Sequence, residues 1–61
     1  MDKEIIEELF IGKQIKLVFK RNNFILIGEI VKVDDFGIIF KTDTKSSYID
    51  FESIQQITEV D

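Results

Sequence analysis

The sequence predicts a mostly β domain, in which a short N-terminal helix precedes a five-stranded, strongly bent antiparallel small barrel. Three observations predict it. The hydrophobic period is helical before Gly12 and alternates after it. Five β-rich segments then follow one another through short polar links, which favour antiparallel neighbours. Gly28 interrupts the longest segment, and a glycine inside a strand marks a bend or bulge of the kind that small barrels need.

The helix is predicted over residues 2–10, because glutamate and leucine favour helices and the apolar residues fall on one face. These apolar residues are Ile5, Ile6 and Leu9. Asp2 is the expected N-cap and Gly12 the expected stop. An isolated helix of about ten residues is marginal in water, so we expect this one to lie on the sheet.

The strands are separated by residues typical of turns, among them Asn22-Asn23 and Asp34-Asp35. In the first strand, Ile15, Leu17 and Phe19 alternate with their neighbours, so we expect these three side chains on the inner face. The five strands are predicted over residues 15–20, 24–33, 36–40, 48–51 and 54–60. The barrel then covers about 13–60 of one domain that spans 1–61.

The composition argues against catalysis and against a bound cofactor. The 61 residues include no His and no Cys, so the chain has no imidazole acid–base group, no thiol nucleophile, no disulfide and no usual zinc ligand. So short a chain also has difficulty building a deep cleft for a small-molecule substrate. Domains this small usually need disulfides, metal or oligomerisation, and we therefore expect oligomerisation.

Hydropathy and the N-terminal residues bear on location. Hydrophobic residues make up 44% of the chain, which is too many for a disordered protein, yet no apolar run approaches the roughly 20 residues of a membrane span. Asp2, Lys3 and Glu4 follow Met1 without the pattern of a signal peptide. We expect a folded cytoplasmic protein with no membrane partner.

Charge is segregated along the chain. Residues 1–10 carry a net charge of −3, residues 11–33 of +4 and residues 34–61 of −5, within an overall charge of −4. Such segregation sets up a local field on one face. The overall acidity weakens attraction to phosphates, so a nucleic acid would have to bind at the basic segment.

Several short motifs stand in a fixed order along the chain. They are the helix before Gly12-Lys13, the polar turn Arg21-Asn22-Asn23, Leu-Ile-Gly-Glu-Ile at 26–30, Val-Asp-Asp-Phe at 33–36 and Ser-Ile-Gln-Gln-Ile at 53–57. This order resembles the Sm-like (LSm) family, and most closely its bacterial Hfq branch. The similarity covers nearly the whole chain.

The resemblance implies a homo-oligomeric ring, in which the fourth strand of one copy pairs with the fifth strand of the next. Ring closure would also remove the open sheet edges that make a small β protein prone to aggregate. The family binds single-stranded RNA, whose bases stack on aromatic side chains, and such stacking contributes about 1–3 kcal/mol per base.

The chain departs from the family between its fourth and fifth strands. Hfq proteins carry Tyr-Lys-His there, whereas this sequence has Asp50-Phe51-Glu52, and the Arg-Gly pair of other Sm proteins is absent too. Two carboxylates near a ring pore would repel phosphate. The usual pore-side RNA site is therefore not carried over whole.

The candidate RNA-binding residues form two groups. The first group is the basic hairpin turn, with Lys20, Arg21, Asn22, Asn23 and Phe24. Its alternative is ordinary turn chemistry for the asparagines and a solvated strand face for the basic residues. The second group is Asp34 and Phe36. For Asp34 the alternative is a bond to the backbone of its own turn, and for Phe36 it is packing in the core or at a subunit contact.

Two hypotheses about function follow. The first is a ring-forming, Hfq-like protein that binds single-stranded RNA without catalysis. The alternative is a small Sm-like or SH3-like barrel that acts as a protein-interaction or self-assembly module without RNA. In that case Phe24, Phe36 and Phe51 would be contact residues, because aromatic side chains are enriched at interfaces.

Overall fold

The predicted helix and all five predicted strands are present in a computed structural model, which describes residues 2–61; Met1 lies outside them. The elements are α1 (Lys3–Phe10), β1 (Ile15–Phe19), β2 (Ile25–Val33), β3 (Gly37–Lys41), β4 (Ser46–Asp50) and β5 (Ile54–Glu59). A 3₁₀ turn, Phe51–Ser53, joins β4 to β5. Each boundary falls within two residues of its predicted place.

Helix α1 begins at its predicted cap. The Asp2 carboxylate accepts hydrogen bonds from the backbone N–H groups of Glu4 (2.9 Å) and Ile5 (3.4 Å). These are groups that the first helical turn leaves without an internal partner. The helix ends before Gly12, whose φ of +85° lies in the left-handed region where glycine is favoured. Both predicted ends are confirmed.

The apolar face of α1 is used only in part. Ile6 is buried in the core and Phe10 is half-buried against it, so the helix does lie on the sheet. Ile5 and Leu9, which we expected on the same buried face, remain about half exposed. The helix is too short and the sheet too small to cover a wider face.

The five strands form one antiparallel sheet in the order β4-β3-β2-β1-β5. Consecutive strands pair from β1 to β4, and β5 crosses over to pair with β1. The sheet is open, because no pairing joins β4 to β5 within residues 2–61, and a closed barrel is therefore not confirmed. The two edge strands keep one unpaired row of backbone N–H and C=O groups each.

Strand β2 changes partners at Gly28. Its first part pairs with β1, where Gly28 stands opposite Ile15, and its second part pairs with β3, starting with Glu29 opposite Lys41. A Cβ atom on Gly28 would collide with the backbone carbonyl oxygen of Lys41. Glycine is therefore needed here because two backbones approach closely at the point where the partner changes.

The bulge of β2 does not lie at Gly28, the residue at which the sequence predicts a bend or bulge. The register with β3 shifts between Ile30 and Lys32, so Val31 is the extra residue. The extra residue resets the alternation of side chains. As a result Ile30 and Val33 both point into the core, although they are three positions apart.

The core lies between the sheet and α1. Its buried side chains are Ile6, Ile15, Leu17, Ile30, Val33, Ile38, Phe40, Ile49, Phe51 and Ile54. Ile15 and Leu17 are fully buried, and Phe19 is half-buried against the same cluster, as the alternation predicted. Val18 is only 9% exposed but does not belong to this cluster.

We expect Gly28→Ala to destabilise the protein by about 1–3 kcal/mol, because the added methyl group overlaps a backbone atom that cannot move aside cheaply. Urea unfolding followed by circular dichroism measures the change. Glu29→Ala, at the exposed neighbouring position, is the matched control and should change the free energy of unfolding by much less. Equal unfolding midpoints for the wild type and Gly28→Ala would contradict the close approach of the two backbones at Gly28.

Candidate nucleic-acid interface

The β1–β2 turn is closed by its own backbone. The N–H of Phe19 donates to the carbonyl of Phe24 (2.9 Å), and the N–H of Asn23 donates to the carbonyl of Phe19 (3.0 Å). Asn23 adopts a left-handed φ of +56°, and the side-chain oxygen of Asn22 accepts from the N–H of Phe24 (3.0 Å). Both asparagines therefore perform the turn chemistry that we gave as their alternative role.

This turn presents the whole first group of candidate residues to solvent: Lys20, Arg21, Asn22, Asn23 and Phe24. The Phe24 side chain is 55% exposed, and its ring centroid lies 6.2 Å from that of Phe19. Within residues 2–61, no carboxylate forms an ion pair with Lys20 or Arg21. An exposed ring and two cations without acidic partners are thus held together on one rigid turn.

The β2–β3 turn is organised by Asp34. Its Oδ1 atom accepts hydrogen bonds from the backbone N–H groups of Phe36 and Gly37, both at 2.8 Å. The Phe36 N–H lowers the pKa of the Asp34 carboxyl below its usual 3.8; partial desolvation opposes this, and the Tyr48 hydroxyl and the Gly37 N–H reinforce it. The geometry matches the alternative in which Asp34 binds the backbone of its own turn.

Tyr48 is a site residue that the sequence analysis missed. Its hydroxyl donates to Asp34 Oδ1 (2.9 Å) and lies 3.2 Å from Oδ2. Desolvation, followed by the hydrogen bond to Asp34, raises the pKa of Tyr48 above its usual 10.0. A Cβ atom on Gly37 would stand 2.8 Å from the Tyr48 hydroxyl, so glycine leaves room for the phenol. Tyr48 and Asp34 are 14 residues apart, and no local motif connects them.

Phe36 projects from this turn into solvent. Its side chain is 76% exposed, so the alternative in which it packs in the core of its own chain is wrong. Its backbone is fixed nevertheless, because its N–H is bound by Asp34 and its carbonyl accepts from the N–H of Phe51 (2.9 Å). The ring is therefore exposed on an ordered turn.

The two groups of candidate residues meet at the 3₁₀ turn. Phe51 binds the β2–β3 turn through Phe36, and the carbonyl of Ser53, at the other end of the 3₁₀ turn, accepts from the N–H of Lys20 (3.0 Å). Glu52 lies between these two contacts and is exposed. The structure thus brings both groups against one short segment, but it also places a carboxylate between them.

Phe51 itself is not part of this surface. The sequence predicted that β4 runs to residue 51, with Phe51 as a possible contact residue in the interaction module. The strand instead ends at Asp50, and the 3₁₀ turn directs the Phe51 side chain inward, where it is only 8% exposed. That interpretation of Phe51 is wrong for the surface of this chain.

Comparisons of the chain with protein-family models, with curated proteins and with solved structures each find no match. The Sm-like resemblance therefore remains a prediction from the sequence. Over residues 2–61 there is no helix of the length and apolarity that a membrane crossing requires. The same residues contain no group of carboxylates arranged as a metal site.

We expect Asp34→Asn to make unfolding less dependent on pH in acid. Because the folded-state pKa of Asp34 is lowered, its ionised form stabilises the fold above pH 3.8, and this contribution is lost as the pH falls through the folded-state value. The wild type should therefore have a higher melting temperature than Asp34→Asn at neutral pH, and the difference in melting temperature should shrink in acid.

Thermal melts between about pH 7 and about pH 2 measure this dependence. Asp61→Asn makes the same chemical change at the C-terminus and controls for the loss of one charge. If the difference in melting temperature between the wild type and Asp34→Asn stays constant down to the lowest pH, the ionised carboxylate does not have this role.

Proposed function

We propose that this chain is a ring-forming, Sm-like protein that binds single-stranded RNA without catalysis. The observation that carries the proposal is the β1–β2 turn, which exposes Lys20, Arg21 and the ring of Phe24. Unpaired bases bind by stacking on aromatic rings, and their phosphates bind to nearby cations. The turn offers both kinds of contact within residues 20–24.

The two edges of the sheet support assembly into a ring. β4 and β5 are both short and both lack a partner on one side, and they lie at opposite ends of the strand order. Pairing β4 of one copy with β5 of the next would satisfy both rows of backbone groups and repeat until the ring closes. The partner change at Gly28 and the bulge at Val31 favour a sheet that curls into the strongly bent small barrel which the sequence predicts.

A ring would present the β1–β2 turn once for each copy. Binding of one RNA strand to several turns adds effective concentration to contacts that are individually weak, which compensates for the acidic net charge. In this proposal Asp34 is a positioning residue that holds the turn carrying Phe36, and Phe36 offers a second stacking surface. Asp50 and Glu52 disfavour phosphate between the two surfaces.

The alternative function, a protein-interaction or self-assembly module without RNA, is favoured by one observation. Phe36 is highly exposed and follows Asp35 in the chain. Its carbonyl also binds the N–H of Phe51, which lies between Asp50 and Glu52. An aromatic residue in acidic surroundings suits a protein partner better than a polyanion. The two proposals differ in whether Lys20 and Arg21 matter.

Native mass spectrometry and light scattering should detect a closed oligomer with one defined subunit number. The mass should persist at high salt, because backbone hydrogen bonds and apolar contacts, rather than surface charges, would hold the ring together. A dilute monomer that melts cooperatively would contradict the ring.

Fluorescence titration with short A-rich and U-rich RNAs should show binding that weakens as salt increases. Lys20→Glu/Arg21→Glu should abolish it, because the phosphates lose two cations and meet two carboxylates, while the oligomer mass at high salt stays unchanged. Glu52→Lys should tighten binding, since it removes the carboxylate between the two aromatic surfaces.

Lys41→Glu/Lys45→Glu makes the same change in net charge on exposed lysines away from the turn and serves as the matched control. It should weaken binding far less than the change at the turn. Absence of salt-dependent binding at tens of micromolar protein in low salt would reject RNA and leave the interaction module as the better proposal.

A further inference from the structure

Two exposed surfaces of the chain carry opposite charges. One, here called the hairpin face, consists of the half-buried Lys16 and the exposed Lys20, Arg21, Phe24, Ile25 and Ile27 on β1, β2 and their turn. The other, here called the helix face, consists of Glu4, Ile5, Glu7, Glu8 and Leu9 on α1. The hairpin face has a net positive charge, although Glu29 lies beside it on the same side of β2. The helix face has a net negative charge, although Lys3 lies on the same helix and forms an ion pair with Asp35.

The two faces lie on opposite sides of the sheet. Leu17 and Leu26 are register partners on the inner side, so the neighbouring partners Lys16 and Ile27 point to the outer side. Helix α1 packs on the inner side, because Ile6 belongs to the same core cluster as Leu17. The solvent side of the helix therefore faces away from the hairpin face.

Both faces leave large apolar side chains in contact with water. Phe24, Ile25 and Ile27 on the hairpin face, and Ile5 and Leu9 on the helix face, are each between 43% and 55% exposed. Apolar patches rimmed by charged residues mark interaction sites on soluble proteins. Each face thus combines an apolar centre with charged residues that are mostly of one sign.

We propose that the helix face of one copy docks on the hairpin face of a second copy. The occupant is selected by charge: two hairpin faces repel one another, as do two helix faces, and only the unlike pair brings carboxylates to lysine and arginine. The apolar side chains of both faces are then covered together. The docking needs neither RNA nor a ring.

This contact joins unlike surfaces, so it does not close between two copies. Because the faces point in opposite directions, each docked copy presents a new helix face at one end and a new hairpin face at the other. Such a contact extends in a line unless the rotation between copies closes it. If copies first form the proposed ring through β4 and β5, the rings stack face to back.

A charge-reversal exchange tests the proposal. Lys20→Glu/Arg21→Glu makes the hairpin face acidic, and Glu7→Lys/Glu8→Lys makes the helix face basic at the end of α1 where lysine suits the helix dipole. Each variant alone has two faces of like charge and should not stack. An equimolar mixture pairs each reversed face with a complementary one and should stack again.

Light scattering and sedimentation at about 20 mM and about 500 mM salt measure the stacking. The wild-type mass should at least double in low salt relative to high salt. Each variant alone should keep its high-salt mass, and the mixture should regain the increase. Lys41→Glu/Lys45→Glu and Asp43→Lys/Asp61→Lys change the net charge equally outside both faces and should behave as wild type.

The proposal is overturned if the wild-type mass does not depend on salt, or if either variant alone gains mass in low salt. It is also overturned if the mixture does not regain the low-salt increase in mass. Circular dichroism checks that the variants fold. If a charge reversal unfolds the chain, neutral variants replace it. The low-salt increase in mass should then be smaller in Lys20→Gln/Arg21→Gln and in Glu7→Gln/Glu8→Gln. The high-salt mass reports on the ring and the RNA titration on the proposed function, so the three outcomes are separate.

Discussion

The close approach of the β2 and β3 backbones at Gly28 is the constraint on which the rest of the fold depends. The carbonyl oxygen of Lys41 occupies the space where any other residue would place a Cβ atom. This close approach allows β2 to pair with β1 over its first part and with β3 over its second part. Its two ends can therefore carry turns that are both tied to the 3₁₀ turn Phe51–Ser53, which makes one surface out of segments far apart in sequence.

The surface formed by these turns carries basic and acidic residues on neighbouring segments. The β1–β2 turn is basic, whereas the segment that anchors it carries Asp50 and Glu52. An anionic ligand would thus be attracted at Lys20 and Arg21 and repelled by the carboxylates of the neighbouring segment. In the proposed function, that contrast would confine a polyanion to the hairpin face, and the same basic residues would receive the acidic helix of another copy in the proposed docking.

Much of the fold was predictable because it depends on local chemistry. The cap at Asp2, the stop at Gly12, the left-handed Asn23 and the alternation of Ile15 and Leu17 each involve residues within one turn or one strand. The bend or bulge predicted at Gly28 is instead a close approach of two backbones, and the bulge lies at Val31. A glycine inside a strand indicates a special backbone site, but the sequence does not distinguish between these possibilities. The half-exposed Ile5 and Leu9 were unpredictable because helical periodicity does not state how much sheet is available to cover them.

The sequence by itself determined the order of the elements, the basic β1–β2 turn and the residues that close each turn, since these follow from side-chain chemistry over a few positions. Only the tertiary structure decided that Tyr48 holds Asp34, that Phe51 is buried while Phe36 is exposed, and that Glu52 lies between the two aromatic surfaces. These facts depend on which strands become neighbours and on where β2 changes its partner. Such long-range pairings are selected by burial of the whole core rather than by any one segment.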